Sequence, residues 1–470
     1  MRQRDPRGLA VAMADRLSPL DCVFLQIEND TQQMHVGWLM TFDGPAPAYE
    51  AFCEHIESRL DVVPRYRQRV QRMPLDLARP MWVDDPHFSL THHLRHTAIP
   101  SPGDEARLLA LCGRVLGQRL DRDRPLWEMW LIEGLPRRRW AVLSKVHHAM
   151  IDGVSGSDII ELMLDADPEA PTSAPSRWSP APAPSRASLA GSGAAWTARL
   201  PLEAGRTIAR AARSPVQAAQ GAALRAYGVA QLGRTAARPT SVLNGPLSPH
   251  RRWAWARGDL AEVKAVKNAT GCTVNDVLLA AIAGGFREYL AARGEQVEDN
   301  LVRTLVPVSL RLPHEHGQLG NRVTGVMAEL PVGVADPLER LAAVSGQLDQ
   351  LKNSGMAAGI DAVFSVAGFV PGGISVVSGK VVAKTGQRFV NTVTTNIPGP
   401  QQQLYLLGRP MREVFPYVPI AEGVRITIAI ATYHGRVAFG ATGDFDAVPD
   451  LEVLAQAIER SLAELVAAAG

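Results

Sequence analysis

The sequence predicts an α/β fold built from two layered halves. Strand-like and helix-like segments alternate over the first 165 residues and again from Arg251 to the C-terminus, an order typical of layered α/β domains. Six prolines, spaced by Ala, Ser and Thr, lie between Pro168 and Pro184, a composition typical of an exposed, semi-extended linker. We therefore expect an N-terminal half at 1–165, a Pro/Ala-rich linker with a basic helical crossover at 166–245, and a C-terminal half at 246–470.

Hydrophobic periodicity sets the predicted elements of the N-terminal half. Apolar, β-rich runs and alternating segments predict strands, whereas apolar residues at helical spacing predict helices. In chain order these are a strand at Met34–Phe42, a helix at Ala48–Leu60, a strand at Phe88–His96, a helix at Leu108–Leu120 and a strand at Trp140–His148.

The C-terminal half continues the alternation. A capping-box pattern, Thr273 followed three residues later by Asp276, predicts the start of a long helix and places Asn275 on its first turn. The predicted helices are Asp259–Ala269, Thr273–Leu290 and Leu451–Ala469, and the strands are Trp253–Arg257, Val302–Val308, Arg322–Leu330, Phe389–Thr395, Gly423–Tyr433 and Arg436–Thr442.

An uncharged segment, Ala362–Gly379, is long enough to be considered as a membrane span. Because Pro371 and two glycines interrupt it, we expect a buried helix–turn–helix, with a lipid-facing or acyl-chain-lining surface as the alternative.

Composition excludes several classes of protein. Hydrophobic residues make up 46% and charged residues 20%, which is typical of a chain with a packed core rather than a disordered one. A net charge of +2 argues against a nucleic-acid partner. The four cysteines are far apart, so neither a zinc site nor a disulfide framework is expected. The N-terminal apolar run Leu9–Ala14 is too short for a signal peptide, and we expect a cytoplasmic protein.

The near-neutral total hides a basic segment. Residues Trp196–Arg238 contain seven arginines and one acid, a charge of +6, which leaves −4 for the rest of the chain. Arg199, Arg206, Arg210 and Arg213 share one face of a helix. Such a face is suited to an anionic membrane surface, and a solvated crossover helix is the alternative.

The pattern with the clearest chemistry is a strand that ends in two histidines. His147 and His148 point to opposite faces of that strand, so they take different roles. Asp152 and Gly153 follow and allow a sharp turn. A neutral imidazole accepts a proton at cytosolic pH, which predicts a catalytic base. Adjacent histidines that point apart make a poor metal site.

Three more histidines, His92, His93 and His96, lie upstream in a segment that alternates like a strand. Without a paired cluster of carboxylates beside them, we expect no metal there.

The motif H-H-A-M-I-D-G resembles the H-H-x-x-x-D-G motif of the bacterial wax ester synthase/diacylglycerol acyltransferase family. That family belongs to the superfamily of chloramphenicol acetyltransferase and peptide-synthetase condensation domains. Four other segments resemble family motifs in the same order along the chain: Leu17–Asp21 (L-S-P-L-D), Pro125-Leu126-Trp127 (P-L-W), Asn275-Asp276 (N-D) and Asn396–Pro400 (N-I-P-G-P). The resemblance implies two chloramphenicol-acetyltransferase-like halves with the active site in a tunnel between them.

The resemblance also implies an activity. It is transfer of a long-chain acyl group from acyl-CoA, a substrate rather than a cofactor, to diacylglycerol. In this hypothesis His148 is the general base, His147 shapes the site and Asp152 holds the loop. Gly153 leaves room for substrate, and Asn275 supports the intermediate. No acyl-enzyme, cofactor or metal is expected. The remaining motif residues are expected to be structural: Pro125, Leu126, Trp127, Asp276 and Asn396.

Three alternatives stay open at this point. The first is wax ester synthesis with a long-chain fatty alcohol. The second is a condensation-type reaction, which the absence of a carrier-protein segment disfavours. The third is a non-catalytic, lipid-binding homologue. Because the acceptors are insoluble lipids, we expect peripheral association with the inner face of the plasma membrane or with lipid bodies.

Overall fold

The computed structural model describes residues 16–74, 78–150, 163–171, 178–213, 240, 242–298, 300–309, 323–353 and 390–470. Asp152 and Gly153 lie outside these residues, and so does the uncharged segment Ala362–Gly379. The helix that ends at Arg213 is described by its backbone, without the side chains of residues 199–212.

The N-terminal half begins with a short, capped helix. The Ser18 side chain accepts a hydrogen bond from the Asp21 backbone N–H, and the Asp21 carboxylate accepts one from the Ser18 N–H. The elements are α1 (Pro19–Ile27), β1 (His35–Phe42), α2 (Tyr49–Arg59), β2 (Gln68–Gln71), β3 (Met81–Asp84), α3 (Leu90–His93), β4 (Leu94–Ala98), α4 (Glu105–Leu116), β5 (Trp127–Leu135) and β6 (Arg139–His147).

A long helix, α5 (Arg186–Arg213), lies between the two halves in the sequence. The C-terminal elements are β7 (Arg251–Asp259), α6 (Leu260–Thr270), α7 (Val274–Ala292), β8 (Val302–Ser309), β9 (Val323–Leu330), α8 (Pro337–Asn353), β10 (Thr392–Ile397), β11 (Tyr405–Leu406), β12 (Arg409–Tyr417), β13 (Ile426–Tyr433), β14 (Arg436–Asp444) and α9 (Leu451–Ala469). The predicted capping box at the start of α7 is confirmed, because Thr273 and Asp276 exchange both hydrogen bonds.

The strands of the described residues form two six-stranded sheets and a two-stranded sheet of β2 and β3. The first sheet has the order β11-β12-β1-β6-β5-β4, and the second has the order β7-β14-β13-β10-β8-β9. Two strands from late in the chain, β11 and β12, therefore belong to the sheet of the N-terminal half. The register places Leu39 of β1 opposite Phe415 of β12. The sequence did not predict that strands from the C-terminal half join the N-terminal sheet.

An apolar cluster joins the two halves. Trp253 and Trp255 of β7 and Phe415 of β12 pack with Leu116 of α4 and with the inner side chains of the first sheet. Contact between α4 and β7 is close because Gly113 has no Cβ: a Cβ there would lie 2.8 Å from the backbone oxygen of Arg251. The two sheets thus share one continuous interface.

The predicted strand Phe88–His96 is wrong in its first part. Residues Leu90–His93 form the helical turn α3, and the strand begins only at Leu94. His93 is buried, with its Nδ1 2.8 Å from the Trp127 backbone oxygen. Tertiary packing against β5 therefore overrides the local alternation that predicted a strand.

The start of α5 is fixed to the N-terminal half. Leu189 is buried with Met73, Ala78 and Met81, and an Arg16 guanidinium nitrogen lies 3.3 Å from the Ser192 hydroxyl oxygen. Among the described helices, none is both long and apolar enough to cross a membrane alone. By length and composition α6 and α7 would qualify as a pair, with a bend of 104° between them.

Candidate active site

The two adjacent histidines lie where β6 ends. His147 is the last residue of the strand, and His148 opens a short 3₁₀ turn, His148–Met150. His147 is fully buried, whereas His148 is partly exposed. The strand alternation predicted that the two rings face different surroundings. The structure places them so, although His148 itself lies just beyond the strand rather than in it.

His148 has an apolar environment. Its ring stacks on Phe24 of α1, with 4.0 Å between the ring centroids and 28° between the planes. Burial lowers the pKa of His148 to about 4, against a smaller opposing effect of its own backbone carbonyl. At neutral pH the imidazole is therefore uncharged and can accept a proton.

His147 lies on the opposite side of the chain and is tied to the backbone. Its Nδ1 accepts a hydrogen bond of 3.0 Å from the backbone N–H of Ala149. A neutral ring that accepts at Nδ1 carries its proton on Nε2, and that Nε2 lies 3.6 Å from Oε1 of Glu28. Burial lowers the pKa of His147 to about 3, and the charge of Glu28 only partly opposes this. His147 is thus a neutral, structural imidazole.

The buried partner of His147 is Glu28, a residue that the sequence analysis missed. The Glu28 side chain is 1% exposed. Its Oε2 accepts hydrogen bonds of 2.6 and 3.0 Å from Arg122, and its Oε1 lies 3.3 Å from Nε2 of His35. Burial alone would raise the pKa of the Glu28 carboxyl, but His35, His147 and Arg122 hold it well below its ordinary range. Glu28 is therefore a buried, permanent carboxylate.

The P-L-W segment supports the same strand end. The backbone N–H of His147 donates to the Leu126 carbonyl at 2.9 Å, and Trp127 pairs with Val146 across the two strands. The Trp127 indole N–H donates to the backbone oxygen of Tyr66 at 2.7 Å. Pro125 accepts from the Trp127 backbone N–H at 3.0 Å, which closes the turn before β5. These residues hold the chain beside the histidines.

Asn275, Asp276 and Asn396 come together on the second sheet and its helix. The Asn396 side-chain amide donates to the side-chain oxygen of Asn275 at 3.2 Å. Asp276 caps α7, as predicted, and also accepts a hydrogen bond of 3.1 Å from the Ser345 hydroxyl. The N-D and N-I-P-G-P segments, far apart in sequence, thus meet at the N-terminus of α7.

Comparison with known proteins identifies the family. The catalytic-domain model of the wax ester synthase/diacylglycerol acyltransferase family matches residues 17–278, and its C-terminal-domain model matches residues 319–466. The chain belongs to this family. The family predicted from the motifs is therefore confirmed.

Two mycobacterial relatives cover nearly the whole chain. A Mycobacterium tuberculosis protein named "Probable diacyglycerol O-acyltransferase tgs1" is 36% identical, with 96% of each chain covered. A second, "Probable diacyglycerol O-acyltransferase tgs2" from the same species, is 33% identical over 97% of this chain and all of that protein.

Solved structures confirm the predicted α/β fold with two halves. The wax ester synthase/diacylglycerol acyltransferase from Marinobacter aquaeolei VT8 matches with a TM-score of 0.68 and 28% identity, covering 97% of this chain and 100% of that one. The starter condensation domain of rhizomide synthetase, solved with C8-CoA and Leu-SNAC, matches with a TM-score of 0.59 and 14% identity over 98% and 96% of the two chains. This second likeness concerns the fold alone.

Within this family member, the described hydrogen bonds form two separate groups. One group surrounds His147 and His148 on the first sheet, and the other joins Asn275 to Asn396 on the second. In the part of the chain that the structure describes, no hydrogen bond links the two groups. Asp152 and Gly153, which would complete the histidine loop, lie outside the described residues.

A narrow apolar cavity of about 30 Å³ lies on the other face of β6 from Glu28. Side chains of β1, β5 and β6, among them Trp38, Met129 and Val146, line it, together with Phe52 of α2. A cavity of this volume has room for about one water molecule. Among the described residues, no three His, Cys, Asp or Glu side chains are grouped so that they would hold a metal ion.

Proposed function

We propose that this chain moves a long-chain acyl group from acyl-CoA to diacylglycerol and so makes triacylglycerol. The observation that carries the proposal is the neutral imidazole of His148, a partly buried residue at the end of β6 within the family's histidine motif. The mycobacterial relatives named as diacyglycerol O-acyltransferases support diacylglycerol as the acceptor.

His148 acts as the general base in this reaction. It takes the proton of the acceptor hydroxyl while the hydroxyl oxygen attacks the thioester carbonyl carbon. The C–O bond of the new ester forms, the C–S bond breaks, and the proton passes from the imidazolium to the leaving CoA thiolate. The low pKa of His148, about 4, makes the imidazolium a ready proton donor in that last step. The histidine needs no covalent acyl-enzyme because the attacking group belongs to the acceptor.

The remaining motif residues have supporting roles in the proposal. Asn275, on the first turn of α7, supplies a side-chain amide at the N-terminus of the helix, which suits the stabilisation of a developing oxyanion. The side-chain oxygen of Asn275 accepts a hydrogen bond from Asn396, so this contact does not use the side-chain N–H groups of Asn275. Asp152 holds the histidine loop, and Gly153 leaves space for the substrate. No cofactor takes part.

A parallel assay tests the choice of acceptor. The purified protein receives labelled palmitoyl-CoA with diacylglycerol in one reaction and hexadecanol in another, and the lipid products are separated by chromatography. We expect triacylglycerol as the main product. A second candidate function, wax ester synthesis, is favoured by the likeness to the Marinobacter enzyme and predicts more product from hexadecanol. No product from either alcohol would support a non-catalytic, lipid-binding protein and contradict the proposal.

The same proposal places the protein in the cytoplasm, on the inner face of the plasma membrane or on lipid bodies. The helix α5 supports this, because its first turns are packed on the N-terminal half while Arg213 at its end is exposed. The positive charge of this segment would attract anionic headgroups.

Binding to vesicles tests the membrane contact. Replacing Arg206, Arg210 and Arg213 with glutamine should weaken binding to phosphatidylglycerol vesicles, most strongly at low salt. The matched control replaces three arginines elsewhere, Arg107, Arg114 and Arg436, and should bind as the wild type does. Equal binding by both triple variants would leave α5 as a plain connection between the halves.

A further inference from the structure

We propose that Glu28 is a positioning residue that fixes the backbone on both sides of the His148 imidazole. The inference rests on the proposed function of His148 and names the group that aligns it. Glu28 lies on the side of His147, 3.6 Å from its Nε2. Two independent chains of contacts lead from its carboxylate to the backbone of the 3₁₀ turn.

The first chain runs through Met34, the residue directly before β1. Oε1 of Glu28 accepts a hydrogen bond of 3.3 Å from the backbone N–H of Met34. The Met34 carbonyl in turn accepts a hydrogen bond of 2.8 Å from the backbone N–H of His148. A single residue, Met34, is thus held by Glu28 on its N–H side and holds His148 on its carbonyl side. Movement of the carboxylate would shift the N-terminal side of His148.

The second chain runs through His147. The Glu28 carboxylate lies 3.6 Å from Nε2 of His147 and favours the tautomer with the proton on that nitrogen. The Nδ1 lone pair is then free to accept the N–H of Ala149, which it does at 3.0 Å. If the ring adopted the other tautomer, two N–H groups would oppose each other and the bond to Ala149 would be lost. This bond fixes the chain directly after His148.

The surroundings of Glu28 explain why a carboxylate is needed. Its oxygens accept hydrogen bonds from the Met34 N–H and from two nitrogens of Arg122, and Oε1 lies 3.3 and 3.6 Å from the Nε2 atoms of His35 and His147. A carboxylate can only accept hydrogen bonds, so its oxygens suit the Met34 and Arg122 donors. A glutamine of the same shape would point two N–H groups at one of these donors. Even this conservative change therefore disturbs both chains of contacts.

The helix α1 gives this arrangement a rigid support. Phe24 of α1 stacks on the His148 ring, and Glu28 follows directly after the last residue of the helix. The capping box of Ser18 and Asp21 fixes the start of the same helix. One short helix therefore positions both the ring of His148, through Phe24, and its backbone, through Glu28.

The test compares Glu28→Gln with a matched control, Glu133→Gln. Glu133 also pairs with a histidine, His96, but its side chain is 43% exposed and lies away from β6's end. We expect Glu28→Gln to lower kcat on the order of 10²-fold, the cost of a misplaced catalytic group, with KM unchanged. In a His148→Ala background the same substitution should have no further effect, because the group that it aligns is gone. The control should behave like the wild type in both backgrounds.

A second readout does not depend on activity. Amide hydrogen exchange measured by NMR should become faster at His148 and Ala149 in Glu28→Gln and stay unchanged in Glu133→Gln. A wild-type kcat in Glu28→Gln, or a loss of kcat without faster exchange at these two amides, would overturn the proposal. If the wild type itself made no triacylglycerol, the proposed function would fail, and the exchange experiment alone would decide on Glu28.

A second variant covers the case in which Glu28→Gln does not fold. Arg122 is 29% exposed, and Arg119, 3.7 Å from Oε2 of Glu28, would still compensate part of the buried carboxylate charge after its replacement with glutamine. Arg122→Gln frees the Glu28 carboxylate from its two hydrogen bonds and should lower kcat and speed exchange at the same two amides. Wild-type kcat and exchange in a folded Arg122→Gln protein would also overturn the proposal.

Discussion

The aromatic cover on His148 makes a quantitative prediction about pH. Phe24 stacks on the imidazole at 4.0 Å and helps to keep water from it. Burial holds the pKa of His148 at about 4, against an ordinary value of 6.5. Replacing Phe24 with alanine opens one face of the ring to solvent, so the pKa should rise toward 6.5. The acid limb of the pH profile of kcat/KM, which reports on the free enzyme, should move upward with it.

The size of the effect follows from the two pKa values. At pH 5.5 a base with a pKa of about 4 is about 97% neutral, whereas a base with a pKa of about 6.5 is about 9% neutral. The wild type should therefore keep almost all of its kcat/KM between pH 7.5 and pH 5.5. Phe24→Ala should lose up to about tenfold over the same interval if the pKa returns fully to its ordinary value.

The assay is triacylglycerol formation from labelled palmitoyl-CoA at a series of pH values. Phe24→Leu serves as the control, because leucine keeps an apolar cover over the ring and should keep the acid limb near the wild-type position. Identical profiles for the wild type and Phe24→Ala would refute the reasoning. So would a wild-type acid limb near pH 6.5, since the imidazole would then not be shielded at all.

Two further predictions concern stability and are checked by urea-induced unfolding. Trp127→Ala should lower the free energy of unfolding by about 3–5 kcal/mol because it empties a fully buried site. Trp127→Phe should lower it by about 1–3 kcal/mol because the Tyr66 carbonyl loses its hydrogen-bond donor. Equal losses in the two variants would contradict the role of the indole N–H. For His147, the folded pKa of about 3 lies below the unfolded 6.5, so the unfolded chain binds the extra proton as the pH falls. Between pH 7 and pH 5 the free energy of unfolding of the wild type should therefore fall by ~2 kcal/mol more than that of His147→Gln. An equal fall in both proteins would show that the pKa of His147 is not lowered in the folded state.

The features that the sequence predicted well are those with a local physical signal. The capping box of Thr273 and Asp276 needs only a hydroxyl and a carboxylate three residues apart, and the structure has both of its hydrogen bonds. The strand before His147 shows as an apolar run in the sequence, and β6 is buried along nearly its whole length. In these cases a short window of sequence contains all of the partners involved.

The features that the sequence did not predict depend on distant partners. Glu28 stands in an E-N-D run that looks like a solvated turn, and its burial follows from Arg122 and His35, which lie elsewhere in the chain. The pairing of β12 with β1 joins residues of the two halves, and neither strand alone carries a sign of it. His93 lies in a helical turn because its ring stacks on Trp127, with 4.6 Å between centroids.

The central claim is that His148 is the general base of a direct acyl transfer. The most direct test is the rate of triacylglycerol formation by His148→Ala at saturating palmitoyl-CoA and diacylglycerol, with the folded state verified by circular dichroism. Loss of a general base should lower kcat by about 10²–10⁴-fold. A folded His148→Ala protein that retains a near-normal kcat would contradict the account.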